Sequence, residues 1–170
     1  MMAGFLTHSM PRQQGATLIE VLVSLLILAI GLLGMSGLQT VSLRNTQSAY
    51  LRTQASLNSN DIVERIRANL QGVEAGSYDG AAGAVTASCN TTAGCTPAQL
   101  AANDIAEWKA ALAADLPSGA GTVCADSTPE DGTAAASACD GLGTLYAVKI
   151  WWDEDRDGNA EKRFTLSFQP

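Results

Sequence analysis

From Val21 to Leu43 the chain runs 23 consecutive positions without a charged residue. At about 1.5 Å of rise per residue, a helix of that length crosses the hydrocarbon core of a bilayer. Membrane insertion is the direct expectation. An ordinary secretory signal would place Arg12 in its basic region and be cut near Gly34, Ser36 or Gly37. Two features argue against it: an acid, Glu20, stands at the head of the apolar run, and helical character continues downstream of those small residues. A plain single-pass anchor explains the length but not the acid. An ionisable group at the hydrophobic boundary is costly and calls for a partner. If the chain is cut after Gly15, Ala16 acquires an α-amino group, and Glu20 lies four residues along the same helix face or opposite the amine of a neighbouring subunit. A helix start also favours negative charge.

The string Gln14-Gly15-Ala16-Thr17-Leu18-Ile19-Glu20-Val21-Leu22 resembles the class III leader of type IV pilins and pseudopilins. That pattern has a glycine at the cut, a short apolar stretch, a glutamate at mature position five and then about twenty apolar residues. The resemblance implies cleavage between Gly15 and Ala16 by a membrane prepilin peptidase that also N-methylates the new terminus. The family usually begins with Phe or Met, whereas this chain offers Ala16. It further implies insertion in the inner membrane before assembly, with Glu20 pairing charge during assembly. Met10 is an alternative start that gives a leader of Met10 to Gly15; Gly4-Phe5 is set aside because Ser9, not an acid, follows five residues on. The expected organisation is a leader over 1–15, the membrane and filament-core half of a long helix over 16–43, and a periplasmic head over 44–170.

A chain of 170 residues suits one domain with a core of its own. Beyond Leu70 there are 14 acids against five bases, so the part facing water repels phosphate and no nucleic-acid partner is expected. Cys89, Cys95, Cys124 and Cys139 lie downstream of the apolar segment among Ala, Gly, Thr and Ser. They fit disulfides of an oxidising compartment better than the paired knuckles of a zinc site. Three pairings are open; Cys89 with Cys95 and Cys124 with Cys139 is the local one.

Past Leu43 the pattern stays helical to about Leu70, about 80 Å of helix from Ala16. Leu43, Tyr50, Leu51, Leu57, Ile62, Val63, Ile66 and Leu70 are expected to lay one stripe on the head. Gly31, Gly34 and Gly37 suit close helix packing. Residues Gly72 to Gly94 read as a loop. Thr96-Pro97 opens a second helix through about Leu116, with Leu100, Ile105, Trp108, Leu112 and Leu116 as its core face. Leu145 to Trp152 alternates as a strand, with Tyr146, Val148, Ile150 and Trp152 inward and Leu145, Ala147, Lys149 and Trp151 outward. Lys162 to Phe168 pairs with it as a hairpin, Phe164, Leu166 and Phe168 inward, and a shorter strand around Thr122 to Ala125 joins them. The expected class is α+β: a long N-terminal helix packed on a small antiparallel sheet, with a second short helix. Pilins have this architecture. Ala-Glu-Trp at Ala106 to Trp108, with Trp151-Trp152-Asp153-Glu154-Asp155-Arg156, resembles the minor pilin PilV family in particular.

Asp153, Asp155, Asp157 and Gly158 repeat the opening of a calcium loop, but position twelve is Phe164 where a bidentate Glu is needed. A solvated hairpin turn is the preferred reading, and calcium the only cofactor considered. Trp151 is the candidate contact residue, on the outward side of its strand, with two readings open: an exposed contact, or a side chain covered by the Gly-rich loop or the second helix. The only histidine, His8, falls in the leader, and the remaining carboxylates lack a partner suited to acid–base work, so no enzymatic activity is expected. The resemblance implies a minor pilin that initiates or assembles a type IV pilus and supports adhesion or surface motility. Its partners would be other minor and major pilins and a tip adhesin. A pseudopilin of a type II secretion system is the alternative.

Overall fold

The structure is a computed structural model that describes residue 15 and residues 17–170. The order is α1 (Leu18–Ala68), α2 (Leu70–Glu74), a 3-10 turn (Ala87–Asn90), α3 (Pro97–Asp115), β1 (Ala120–Ala125), β2 (Tyr146–Trp152) and β3 (Lys162–Phe168). The chain divides into two units, one ending at Arg44 and one from Asn45 to Pro170, and α1 contributes to both.

In the first unit, α1 is a single uninterrupted helix whose most apolar window has a mean hydropathy of 2.6 and contains no buried residue. Its hydroxyls turn back onto the helix: Ser24 Oγ donates to the Glu20 carbonyl at 2.7 Å, Ser36 Oγ to Leu32 at 2.9 Å and Thr40 Oγ1 to Ser36 at 3.1 Å. Such bonding satisfies the hydroxyls without water, as a hydrocarbon environment requires.

The second unit is the α+β arrangement expected from the sequence. The sheet order is β1-β2-β3, antiparallel throughout, with Val123 opposite Val148 and Ile150 opposite Phe164. Helix α3 begins with a reciprocal cap in which Thr96 Oγ1 accepts from the Gln99 N–H at 3.3 Å and Gln99 Oε1 accepts from the Thr96 N–H at 3.0 Å. Such a cap satisfies two donors that a helix start otherwise leaves open. The core joins Leu51, Ala55, Ile62, Val63 and Ile66 of α1 to Ile105, Trp108 and Leu112 of α3 and to Val123, Val148, Ile150 and Trp152 of the sheet. Burying each large side chain here contributes about 1.5–3 kcal/mol. Gly121 is the point of closest approach between sheet and α3: a Cβ there would lie 2.6 Å from both Leu112 Cδ1 and Trp108 Cη2.

The stripe of α1 differs from the expected one. Tyr50, Leu57 and Leu70 are exposed, while the buried row runs Leu51, Ala55, Asn58, Ser59, Ile62, Val63, Ile66. A polar residue on the inward face is bonded to α3: Asn58 is tied to Asp115 Oδ2 at 3.0 Å and its carbonyl accepts from Trp108 Nε1, also at 3.0 Å. The helix breaks at Asn69, whose side chain accepts from Gly72 N and donates to the Tyr78 hydroxyl at 3.1 Å and the Pro97 carbonyl at 2.8 Å. Leu100, expected in the core of α3, is only half-buried, and the fully buried residue of that turn is Ala101.

The glycine-rich loop contributes one full core residue, Tyr78. It is completely buried, and its hydroxyl donates to Asp104 Oδ2 at 2.7 Å. Burial, and the hydroxyl's bond to Asp104, push the phenol above its ordinary pKa, so the folded state favours the neutral form. The stability this contributes is complete below the unfolded tyrosine pKa, about 10, and is lost as pH rises beyond it. A urea midpoint followed through that range is expected to fall for the native chain and to stay flatter for Tyr78→Phe.

The larger departure concerns the outer face of the sheet. Ala147, Lys149 and Trp151, expected on the outward side, are buried, as are their inward neighbours Val148, Ile150 and Trp152. The segment after β1 folds back over this face, pinned by the Cys124–Cys139 disulfide and by Lys149, whose ammonium meets Asp131 Oδ1 at 2.8 Å and the Ser137 carbonyl at 2.9 Å. A strand covered on both sides loses the wet face that alternation assumes. The second disulfide joins Cys89 to Cys95.

Candidate functional site

Gly15 is exposed and outside any helix or strand, and a Cβ placed there would meet nothing within 4 Å among the described residues. Packing within the chain therefore does not demand glycine at this position. Ala16, the expected methylation site, lies outside the described residues, as do His8, Met10, Arg12 and the rest of 1–14. The Thr17 carbonyl accepts from the N–H groups of Glu20, at 3.0 Å, and Val21, at 3.3 Å, opening the helix. Glu20 thus occupies the first turn of α1, exposed, with Leu18, Ile19, Val21 and Leu22 exposed around it. A carboxylate in the first turn complements the helix dipole. In an apolar setting it remains a charge in search of a cation. Gly31, Gly34 and Gly37 also meet nothing within 4 Å, which leaves that stretch of helix open to close approach by another chain.

The hairpin acids are arranged around a turn. Carboxylate oxygens of Asp153, Asp155 and Asp157 approach within 4.8 Å of one another. Asp153 is buried, and its two oxygens accept from the N–H groups of Asp157, at 3.2 Å, and Gly158, at 2.8 Å; Asp157 Oδ1 in turn accepts from Asn159 N at 2.8 Å. Gly158 has φ of 99°, a conformation glycine adopts without strain. Burial works against the Asp153 carboxylate, but the N–H groups of Gly158, Arg156 and Asp157 outweigh it and hold its pKa below the usual range. These bonds account for the first acid without an ion, and Phe164 at position twelve is half-buried against the core. Millimolar calcium is expected to leave the melting temperature unchanged; a calcium-dependent rise in calorimetry would show that the acids bind it.

Trp151 does not present an exposed indole. It is buried and contributes to the wall of an open cleft with Ser118, Thr133, Ala134, Asn159 and Arg163. Arg163 closes this side by donating to the Glu130 and Gly132 carbonyls. A partner would therefore meet the covering segment and the hairpin turn before the tryptophan.

Two polar groupings went unread in the sequence. On α3, Glu107 accepts from Asn90 at 2.8 Å, Arg65 at 2.9 Å and Asn103 at 2.9 Å. These donors hold its pKa below the ordinary carboxylate value and tie the Cys89–Cys95 loop to α1 and α3. The second is Lys149 with Asp126 and Asp131, assembled between β2 and the segment after β1. The available signal was a lysine in the middle of the apolar run Tyr146 to Trp152.

Residues 10–36 match the family model of the prokaryotic N-terminal methylation motif, and residues 37–106 match that of type IV pilin Tt1218. No curated protein and no solved structure matches the chain significantly.

Proposed function

We propose that this chain, which carries an N-terminal methylation motif followed by a type IV pilin domain, is a minor pilin that takes part in the initiation and assembly of a type IV pilus. The observation that carries the reading is the first turn of α1: one acid, Glu20, at the start of a helix whose apolar window has no buried residue among the described residues. Such a helix is held by lipid first and by other subunits afterwards. Cleavage at Gly15 by a prepilin peptidase and N-methyltransferase supplies the amine on Ala16 that Glu20 answers. The head then faces the periplasm before incorporation, and its acidic, disulfide-bearing surface selects neighbouring minor and major pilins or a tip adhesin. This is a binding role, without turnover, on which adhesion or surface motility depends. The resemblance to PilV minor pilins supports it.

Mass spectrometry of the mature N-terminus is the direct test of processing: a chain beginning at methylated Ala16 is expected, and Gly15→Ala should block the cut. Deleting the gene should abolish or reduce surface pili. Intact piliation with impaired release of secreted proteins would instead favour the type II secretion pseudopilin, which shares the same N-terminal segment.

A further inference from the structure

Lys149 is the most deeply buried charge in the head, and its surroundings have more order than an ion pair needs. The ammonium is fully covered, in the middle of β2 on the sheet face away from α1. Asp126 Oδ2 lies 2.5 Å from Nζ, and its side chain is fully covered as well. Asp131 Oδ1 is 2.8 Å from the same nitrogen, and the Ser137 carbonyl 2.9 Å. Thr128 joins the two acids: its backbone N–H donates to Asp126 Oδ1 at 3.0 Å, and its hydroxyl donates to Asp131 Oδ2 at 2.9 Å. Asp126 Oδ2 meets the ammonium by distance but has no aligned hydrogen-bond donor. A buried carboxylate oxygen in that state is costly.

We propose that Lys149 and Asp126 condense to an intramolecular amide, with Asp131 carrying the proton between them. The Lys149 Nζ attacks Asp126 Cγ, forming a C–N bond. Negative charge on Oδ1 is met by the Thr128 N–H, the kind of donor that stabilises a tetrahedral oxyanion. The Cγ–Oδ2 bond breaks, and Oδ2 leaves as water with two of the three ammonium protons; the third stays on the amide nitrogen. Ammonium and carboxylate become amide and water, so charge and atoms balance, no redox partner is needed, and Asp131 ends as it began.

Three properties of the site favour the step. Attacker and target are held in contact by the sheet and by the Cys124–Cys139 closure, which removes the entropy of encounter. Water is excluded from both, and an apolar environment favours neutral products over buried charge. Asp131 is partly exposed, with its side chain 47% accessible, so it can exchange protons with solvent while touching the amine. Before reaction, burial works against the ammonium but the carboxylates of Asp126 and Asp131 hold it charged, with its pKa above the ordinary lysine value. Attack therefore needs a base to free the amine, which is the role given to Asp131. This inference does not depend on the filament role.

The test is the intact mass of the full chain, extracted in detergent and unfolded. Counted from whichever N-terminus the chain carries, with any N-methyl included, the native chain is expected to be lighter than its sequence by the four hydrogens of the two disulfides and by one water. A digest should yield a branched fragment joining the peptides that contain Asp126 and Lys149. Lys149→Arg and Asp131→Asn should each show the unlinked mass, with both disulfides retained as evidence of folding. A native chain at the unlinked mass, or a water loss confined to one unbranched peptide, overturns the proposal. A linked Asp131→Asn chain removes Asp131 from it.

Discussion

Replacing Glu20 with alanine is expected to leave the chain cut after Gly15 and to stop its entry into filaments. Glu20 sits in the first turn of α1, exposed in the isolated chain and surrounded by apolar side chains. Once other helices pack around that turn, the carboxylate is desolvated, and the amine of a mature N-terminus is the cation within reach. Removing one member of a buried pair costs about 3–5 kcal/mol because the other charge is left without an answer. That corresponds to a hundredfold or greater loss in association. Peptidase access depends on the segment before the helix, so processing is spared. Immunoblots of membrane and sheared-pilus fractions read both effects, and a Glu20→Ala chain recovered in pili at native levels would refute the pairing.

Trp108→Ala is expected to produce the largest loss of stability in the head. Trp108 has no exposed surface, packs between α1 and the sheet, and donates its indole N–H to the Asn58 carbonyl. Removing a buried tryptophan costs about 3–5 kcal/mol through lost burial and the cavity left behind. Against a total of about 5–15 kcal/mol for a domain, this brings the head close to unfolding. Trp108→Phe keeps most of the volume and should lose less. Urea midpoints followed by the fluorescence of Trp151 and Trp152 distinguish the two.

The parts of the fold carried by local signals were readable: the long helix from its uncharged run, α3 from Thr96-Pro97, and the hairpin from the alternation of Tyr146 to Trp152 and Lys162 to Phe168. What escaped depends on contacts between distant residues. Trp151 and Lys149 read as outward-facing because alternation supposes one wet face. The segment that covers them, rich in Gly, Ala, Ser, Thr and Asp, carries no apolar period and is held there by the Lys149 contacts and a disulfide. Tyr78 was hidden for a similar reason, since its partner Asp104 lies 26 residues away. On α1, Tyr50 and Leu57 fit the helical period but lie outside, while Ala55, Asn58 and Ser59 take inward positions, Asn58 bonded to Asp115 and Trp108 of α3. At the N-terminus the site was legible as chemistry, because an acid at the head of an apolar run is anomalous on its face. The position of Ala16 lies beyond the described residues.

The hydroxyls of Ser24, Ser36 and Thr40 bear on how a subunit is withdrawn from a bilayer. Each already bonds to a carbonyl of its own helix. Moving this rod from lipid into a bundle of other helices therefore requires none of these groups to exchange a partner on the way. In the proposed filament role, the cost of leaving lipid would then fall on side-chain packing and on Glu20 and not on these three hydroxyls.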